Sequence, residues 1–264
     1  MGGLEAADPR YAALWASVER VLGSDPRVRS VELAGSLAAG TADEWSDLDL
    51  VVVTDAAHHD AFLAAWPEWL AAITPTVFAR TPIAPFIVNC VTDEGLTLDI
   101  SVHPGEVLQF PVGPGYAVGS LSGVRFADIG EALEYAVAEQ LRGMAGPFVS
   151  LVRRGEHFRH LTGVPHLLGL LSTVFLAETG AAPPRKLWNA TYTDEQLATV
   201  AALPAVSADR DALVTFGLAV ARLTITRSRP LYDRYGLVWP SELAAVVAQR
   251  LQDALDIDAS DWLF

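Results

Sequence analysis

From Tyr11 onward the apolar positions Tyr11, Leu14, Trp15, Val18 and Leu22 recur at helical spacing, behind an Asp8-Pro9 pair that reads as a cap and a first-turn proline. The pattern predicts an opening amphipathic helix, closed by the turn residues Gly23, Ser24, Asp25 and Pro26. Arg29 to Ala34 then reads as a strand running into Gly35-Ser36, and Asp47 to Thr54 as a second strand. Leu48 to Val53 is largely apolar on both faces, which places that strand centrally in its sheet. Ala56 to Ile73 carries Phe62, Leu63, Trp66 and Leu70 at helical spacing, with Pro67 as a kink or break. Two strands follow, Pro85 to Thr92 and Leu96 to Val102, joined as a hairpin by Asp93-Glu94-Gly95.

Residues 104 to 127 are rich in Gly, Pro and Ser, with a short strand expected at Gly123 to Ala127, and they form the natural seam of the chain. Beyond Asp128 the pattern changes to long helices. Leu133, Val137, Leu141, Phe148 and Val152 line one face, His166 to Glu178 is a very apolar helix, and Asp209 to Arg227 and Ser241 to Leu255 follow. The expected fold is an α/β N-terminal domain over residues 1–127, a mixed sheet with flanking helices, followed by an all-α helical bundle over 128–264.

Composition, the N-terminal pattern, the single cysteine and the charge all bear on this picture. Of 264 residues 51% are hydrophobic, enough to bury a core, yet no apolar run has the length of a membrane span. The N-terminus MGGLEAADPR lacks the pattern of a signal peptide, so a cytoplasmic location is expected. Cys90, the single cysteine, lies in the apolar run PFIVNCV and reads as a buried structural thiol. The net charge of −14 argues against a large nucleic-acid footprint and suits a cationic small molecule, although acidity also serves solubility alone.

Candidate chemistry centres on Asp47 and Asp49. Residues two apart on a strand share a face, so both carboxylates project together, and two anions held close repel unless a cation lies between them. Oxygen ligands without His or Cys favour a hard divalent ion such as magnesium, which bridges carboxylates to substrate phosphates. In LTLDISV the alternation puts Thr97, Asp99 and Ser101 on one face. If that strand lies beside Asp47 to Val53, three carboxylates converge, an arrangement able to align a nucleoside triphosphate, and Asp99 is placed to take a proton from an attacking hydroxyl. Gly35 lets backbone come close to a ligand, and with Ser36 at the start of a short helix, Leu37 to Gly40, it offers a small anion cradle.

A strand, then Gly-Ser, ten residues, then Asp-x-Asp opening the next strand resembles the signature of the DNA polymerase β superfamily of nucleotidyltransferases. The layout of a small catalytic domain before a helical bundle is similar to antibiotic nucleotidyltransferases, above all the aminoglycoside 6-adenylyltransferase group, with lincosamide enzymes as relatives. The signature covers residues 31 to 54 and 96 to 102; GVRFAD, PPRKLWN and TFGLAVARLTITRSRPLYDRYG match that group in layout alone. The resemblance implies a nucleotidyltransferase domain in which Asp47 and Asp49 bind Mg2+, Asp99 completes the metal site or acts as base, Gly35 and Ser36 hold the triphosphate, and Ser46 adds a phosphate contact. It implies ATP as co-substrate and AMP transfer to a hydroxyl of an aminoglycoside-like acceptor, the alternatives being a lincosamide, a protein or a tRNA.

Lys186, the only lysine, either reaches the phosphates from the bundle or is an exposed loop residue. His58-His59 reads as an exposed helix start rather than a metal site. The basic cluster VRRGEHFRH reads as a solvated helix face paired with local acids, the alternative being that it lines the interdomain cleft and neutralises triphosphate.

Overall fold

The computed structural model describes residues 7–81, 87–105, 126–181 and 188–264. The chain divides into two compact units, Met1–Pro114 and Gly115–Phe264.

In the first unit the elements run α1 (Arg10–Leu22), β1 (Val28–Leu33), α2 (Gly35–Ala39), β2 (Leu48–Thr54), α3 (His59–Ala64), α4 (Trp66–Ile73), β3 (Thr76–Arg80), β4 (Ile87–Thr92) and β5 (Thr97–Pro104). The N-cap position of α1 is Pro9, and the Asp8 carboxylate just before it accepts from the Arg10 amide at 3.0 Å. Of the expected apolar face Tyr11, Leu14, Val18 and Leu22 are buried, while Trp15 is half-buried.

The sheet has the order β1-β2-β5-β4-β3, with β2 and β5 parallel and the other pairs antiparallel. It is mixed, as the pattern predicts. Leu48, Leu50 and Val52 of β2, Leu98, Ile100 and Val102 of β5, and Val88 and Cys90 of β4 pack in one core with Leu14, Val18 and Leu22 of α1, Phe62 of α3 and Leu70 of α4. Because side chains alternate along a strand, burying that set turns Asp49, Val51, Asp99 and Ser101 to the opposite face, where all four are half-buried.

Two details differ from the sequence pattern. Ala56 to Ile73 is two helices divided at Ala65, and Pro67 lies in the first turn of α4, where its missing amide has no intrahelical partner to lose. β3, with the sequence TVFAR, is an edge strand of five residues directly after α4, too short to stand out by periodicity. The hairpin of β4 and β5 forms as expected. Gly95 closes its turn at φ +79° with its amide on the Thr92 carbonyl at 3.0 Å, and Thr92 Oγ1 accepts from the Leu96 amide at 3.0 Å. The expected strand at Gly123 to Ala127 begins outside the described residues.

The second unit is helical among its described residues. It comprises α5 (Ile129–Gly143), a π-helical turn at Met144–Phe148, α6 (Val149–Arg154), α7 (His157–Thr162), α8 (Val164–Thr179), a short 3-10 turn, α9 (Asp194–Ala201), α10 (Arg210–Tyr235), α11 (Ser241–Leu255) and α12 (Ser260–Leu263). Asp128, Thr193 and Asp209 cap α5, α9 and α10 through their side chains. Leu133, Val137, Leu141, Phe148 and Val152 are all buried, as the helical pattern predicts.

The stretch His157–Thr179 is long and apolar enough to cross a membrane by composition. It is instead broken at Gly163, and Leu170, Leu171, Val174 and Phe175 of α8 are buried within the bundle. Arg227 of α10 grips α8 and α9 through Glu178 (Nε–Oε1 2.7 Å) and Glu195 (Nη1–Oε1 2.7 Å), and Gln196 donates to Glu178 at 2.7 Å. Arg153, Arg154 and Arg159 of the basic cluster are exposed, whereas His160 is buried edge-on against Phe148.

Candidate active site

The junction between β1 and α2 is the first part of the site. Ala34 is extended and its amide donates to the Asp49 carbonyl at 2.8 Å, which keeps the chain against β2 as it turns into α2. Gly35 then takes φ +54°, in the left-handed region. A Cβ at this position would stand 1.9 Å from Asp49 Oδ2, so backbone and carboxylate occupy the space a side chain would need. Ser36 follows, half-buried in the first turn of α2, where backbone amides have no acceptor within the helix.

The loop from α2 to β2 is built around Ser46, which is 3% exposed. Its hydroxyl donates to Asp43 Oδ1 at 3.0 Å and accepts from the Asp43 amide at 3.0 Å, and its own amide donates to the Asp43 carbonyl at 3.0 Å. Ser46 thus folds the turn that delivers Asp47 to the mouth of β2.

Asp47 precedes β2 and Asp49 is its second residue. In the parallel pair of β2 and β5, Asp49 stands directly opposite Asp99. One oxygen of each of the three carboxylates lies within 4.8 Å of the others, and all three residues are half-buried. An octahedral ion with ligands at about 2.1 Å sets its oxygens about 3 to 4 Å apart, so the donor set fits a hard divalent cation in both chemistry and spacing. A divalent charge there would offset the repulsion among the three carboxylates.

Asn89 is the contributor that sequence reasoning missed. It stands opposite Asp99 in the antiparallel pair of β4 and β5, and its Nδ2 donates to Asp99 Oδ1. The signal was present in the hairpin: a turn centred on Glu94 pairs position 89 with 99. Ser101 Oγ donates to the Leu50 carbonyl at 3.1 Å, tying β5 to β2 beside the acids. Lys186 lies outside the described residues.

Burial and local contacts bear on two further sequence expectations, Cys90 and His58-His59, of which His58 is exposed and His59 half-buried. Cys90 is 2% exposed and burial, followed by the charge of Asp99, pushes its thiol up to about 12, so it is no nucleophile at neutral pH. His59 opens α3 with its Nδ1 on Thr54 Oγ1 at 3.1 Å, at the far end of β2 from the acids.

Residues 17–96 match the family model of the nucleotidyltransferase domain. That span holds Gly35, Ser36, Ser46, Asp47 and Asp49 and ends before Asp99. The chain therefore carries a nucleotidyltransferase domain, and the protein is an enzyme that transfers nucleotides. Among solved structures, an aminoglycoside 6-adenyltransferase from Bacillus subtilis aligns at 11% identity over 90% of this chain and 95% of that one, with a TM-score of 0.33. No curated protein matches the chain.

Proposed function

We propose that the protein is a magnesium-dependent adenylyltransferase that moves AMP from ATP onto a hydroxyl of a small cationic acceptor of the aminoglycoside type, in the cytoplasm. The observation that carries this reading is the convergence of Asp47, Asp49 and Asp99, with Asp49 and Asp99 in register on neighbouring parallel strands. Asp47 and Asp49 would hold Mg2+ with Asp99, and the ion would supply charge neutralisation along the phosphates.

The protein's own groups do the rest. Gly35 and Ser36 offer backbone amides and a hydroxyl to phosphate oxygens, at a place where no side chain separates them from Asp49. Asp99 accepts the proton of the acceptor hydroxyl as that oxygen attacks the α-phosphorus. The new bond joins acceptor oxygen to the α-phosphorus, the bond from the α-phosphorus to its bridging oxygen breaks, and pyrophosphate leaves with the electron pair. The net charge of −14 supports a cationic acceptor over a polyanionic one such as tRNA.

The test is incubation with Mg2+ and each nucleoside triphosphate against a panel of aminoglycosides and lincosamides, followed by mass spectrometry. An aminoglycoside heavier by one AMP, lost in Asp47→Ala, supports the reading. A lincosamide adduct replaces the acceptor, and an absence of any adduct or pyrophosphate release rejects it.

A further inference from the structure

β4 is apolar at Ile87, Val88, Cys90 and Val91, and Asn89 interrupts that run while only 9% exposed. An amide removed from water needs a partner inside the protein, and here the partner is a carboxylate of the site. Asn89 Nδ2 donates to Asp99 Oδ1 from the strand on one side of β5, while Asp49 faces Asp99 from the strand on the other side. Donor, carboxylate and carboxylate thus form one row across three strands. Ser101, the next residue of β5 on that face, spends its hydroxyl on the Leu50 carbonyl and leaves the row undisturbed.

An aspartate on a strand can turn about its Cβ–Cγ bond. A donor held on Oδ1 restricts that rotation and uses part of the capacity of that oxygen, which disfavours bidentate coordination. We propose that Asn89 is a positioning residue that holds Asp99 in the orientation where one of its oxygens joins those of Asp47 and Asp49, so that the divalent-cation site is formed before the ion arrives. Asn89 acts through Asp99 and touches no reacting atom. This assignment rests on the metal-dependent reading above.

The test uses the full chain and Mn2+ as the probe, with electron paramagnetic resonance reporting both free ion and the spectrum of bound ion. Asn89→Leu keeps the branching at Cγ and removes the donor, and Asn89→Gln keeps an amide. Expected results are Mn2+ affinity weakened about 10- to 100-fold in Asn89→Leu, with an altered bound-ion spectrum, and partial recovery in Asn89→Gln. Asn89→Ala takes the place of Asn89→Leu if the latter does not fold. Wild-type affinity and spectrum in whichever of those variants retains the native circular dichroism overturns the assignment. A wild-type protein that binds no Mn2+ overturns the metal reading and this inference together. Normal Mn2+ binding that depends on Asn89, without transfer to any acceptor tried, supports the inference and counts against the proposed acceptor alone.

Discussion

Gly35 and Asp49 are in such close approach that a single added carbon on the glycine would fall 1.9 Å from Oδ2 of the aspartate. The relationship joins the two halves of the candidate site, since the residue that opens the turn from β1 into α2 is also the one that leaves room for the Asp49 carboxylate. At φ +54° the backbone of Gly35 is also one that other residues adopt only at a cost.

Gly35→Ala is therefore expected to lose stability by about 1–2 kcal/mol from the backbone alone. Displacing Asp49 by about an ångström is expected to lower nucleotidyl transfer by about 100-fold. Urea denaturation and pyrophosphate release measure the two effects, and near-wild-type transfer would show that Asp49 need not be where it stands.

Asp47, Asp49 and Asp99 repel one another in the absence of a cation. In EDTA, Asp47→Asn is expected to melt at or above the wild-type temperature, by up to about 2–4 °C for a gain of about 1 kcal/mol. If the site holds the ion, Mg2+ at about 100 times its Kd is expected to stabilise the wild type by about 2.7 kcal/mol, and the variant by much less. Thermal melts with and without EDTA decide it, and equal Mg2+ stabilisation of both proteins would remove Asp47 from the metal site.

Acid sensitivity is expected from the bundle. Hydrogen bonds from Arg227 hold the Glu195 carboxyl down to about 2, with Thr199 Oγ1 adding a further donor at 3.1 Å. A carboxyl depressed in the folded state contributes stability fully above its ordinary value near 4.5 and loses it as the pH falls toward about 2. Melting temperature is thus expected to decline across that window, and Glu195→Gln to lower stability at neutral pH while flattening the decline. An unchanged slope in the variant would place the acid sensitivity elsewhere.

The thiol of Cys90 is expected to be inert in the native protein. With burial pushing it up to about 12, almost no thiolate exists at pH 8, and the side chain lies in the apolar core of the first unit. A chromogenic disulfide reagent is expected to find one reactive thiol only after denaturation in urea, at a rate that follows unfolding. Rapid labelling of the folded protein would contradict this.

Much of the architecture follows from local pattern, because helical and strand periodicities are short-range properties. The apolar face of α1, the interior placement of β2, the hairpin of β4 and β5 and the buried stripe of α5 and α6 are all legible in that way. The division of Ala56 to Ile73 was less so, since a proline signals a boundary but not whether the break falls before or after it. β3 carries too few residues for a period, and it becomes a strand by pairing with β4.

By itself the sequence singled out the candidate residues, for Gly35-Ser36, Asp47-Leu48-Asp49 and Asp99 announce themselves by residue type and parity. Tertiary structure decided the rest, because parity says which face a side chain takes but not which strand lies beside it. Only the parallel pairing of β2 with β5 sets Asp49 opposite Asp99, only the antiparallel pairing of β4 brings Asn89 to that carboxylate, and only the folded loop commits Ser46 to Asp43. Each of these depends on contacts between segments distant in the chain or on a turn closing upon itself, and such contacts are chosen by packing of the whole sheet rather than by any one segment.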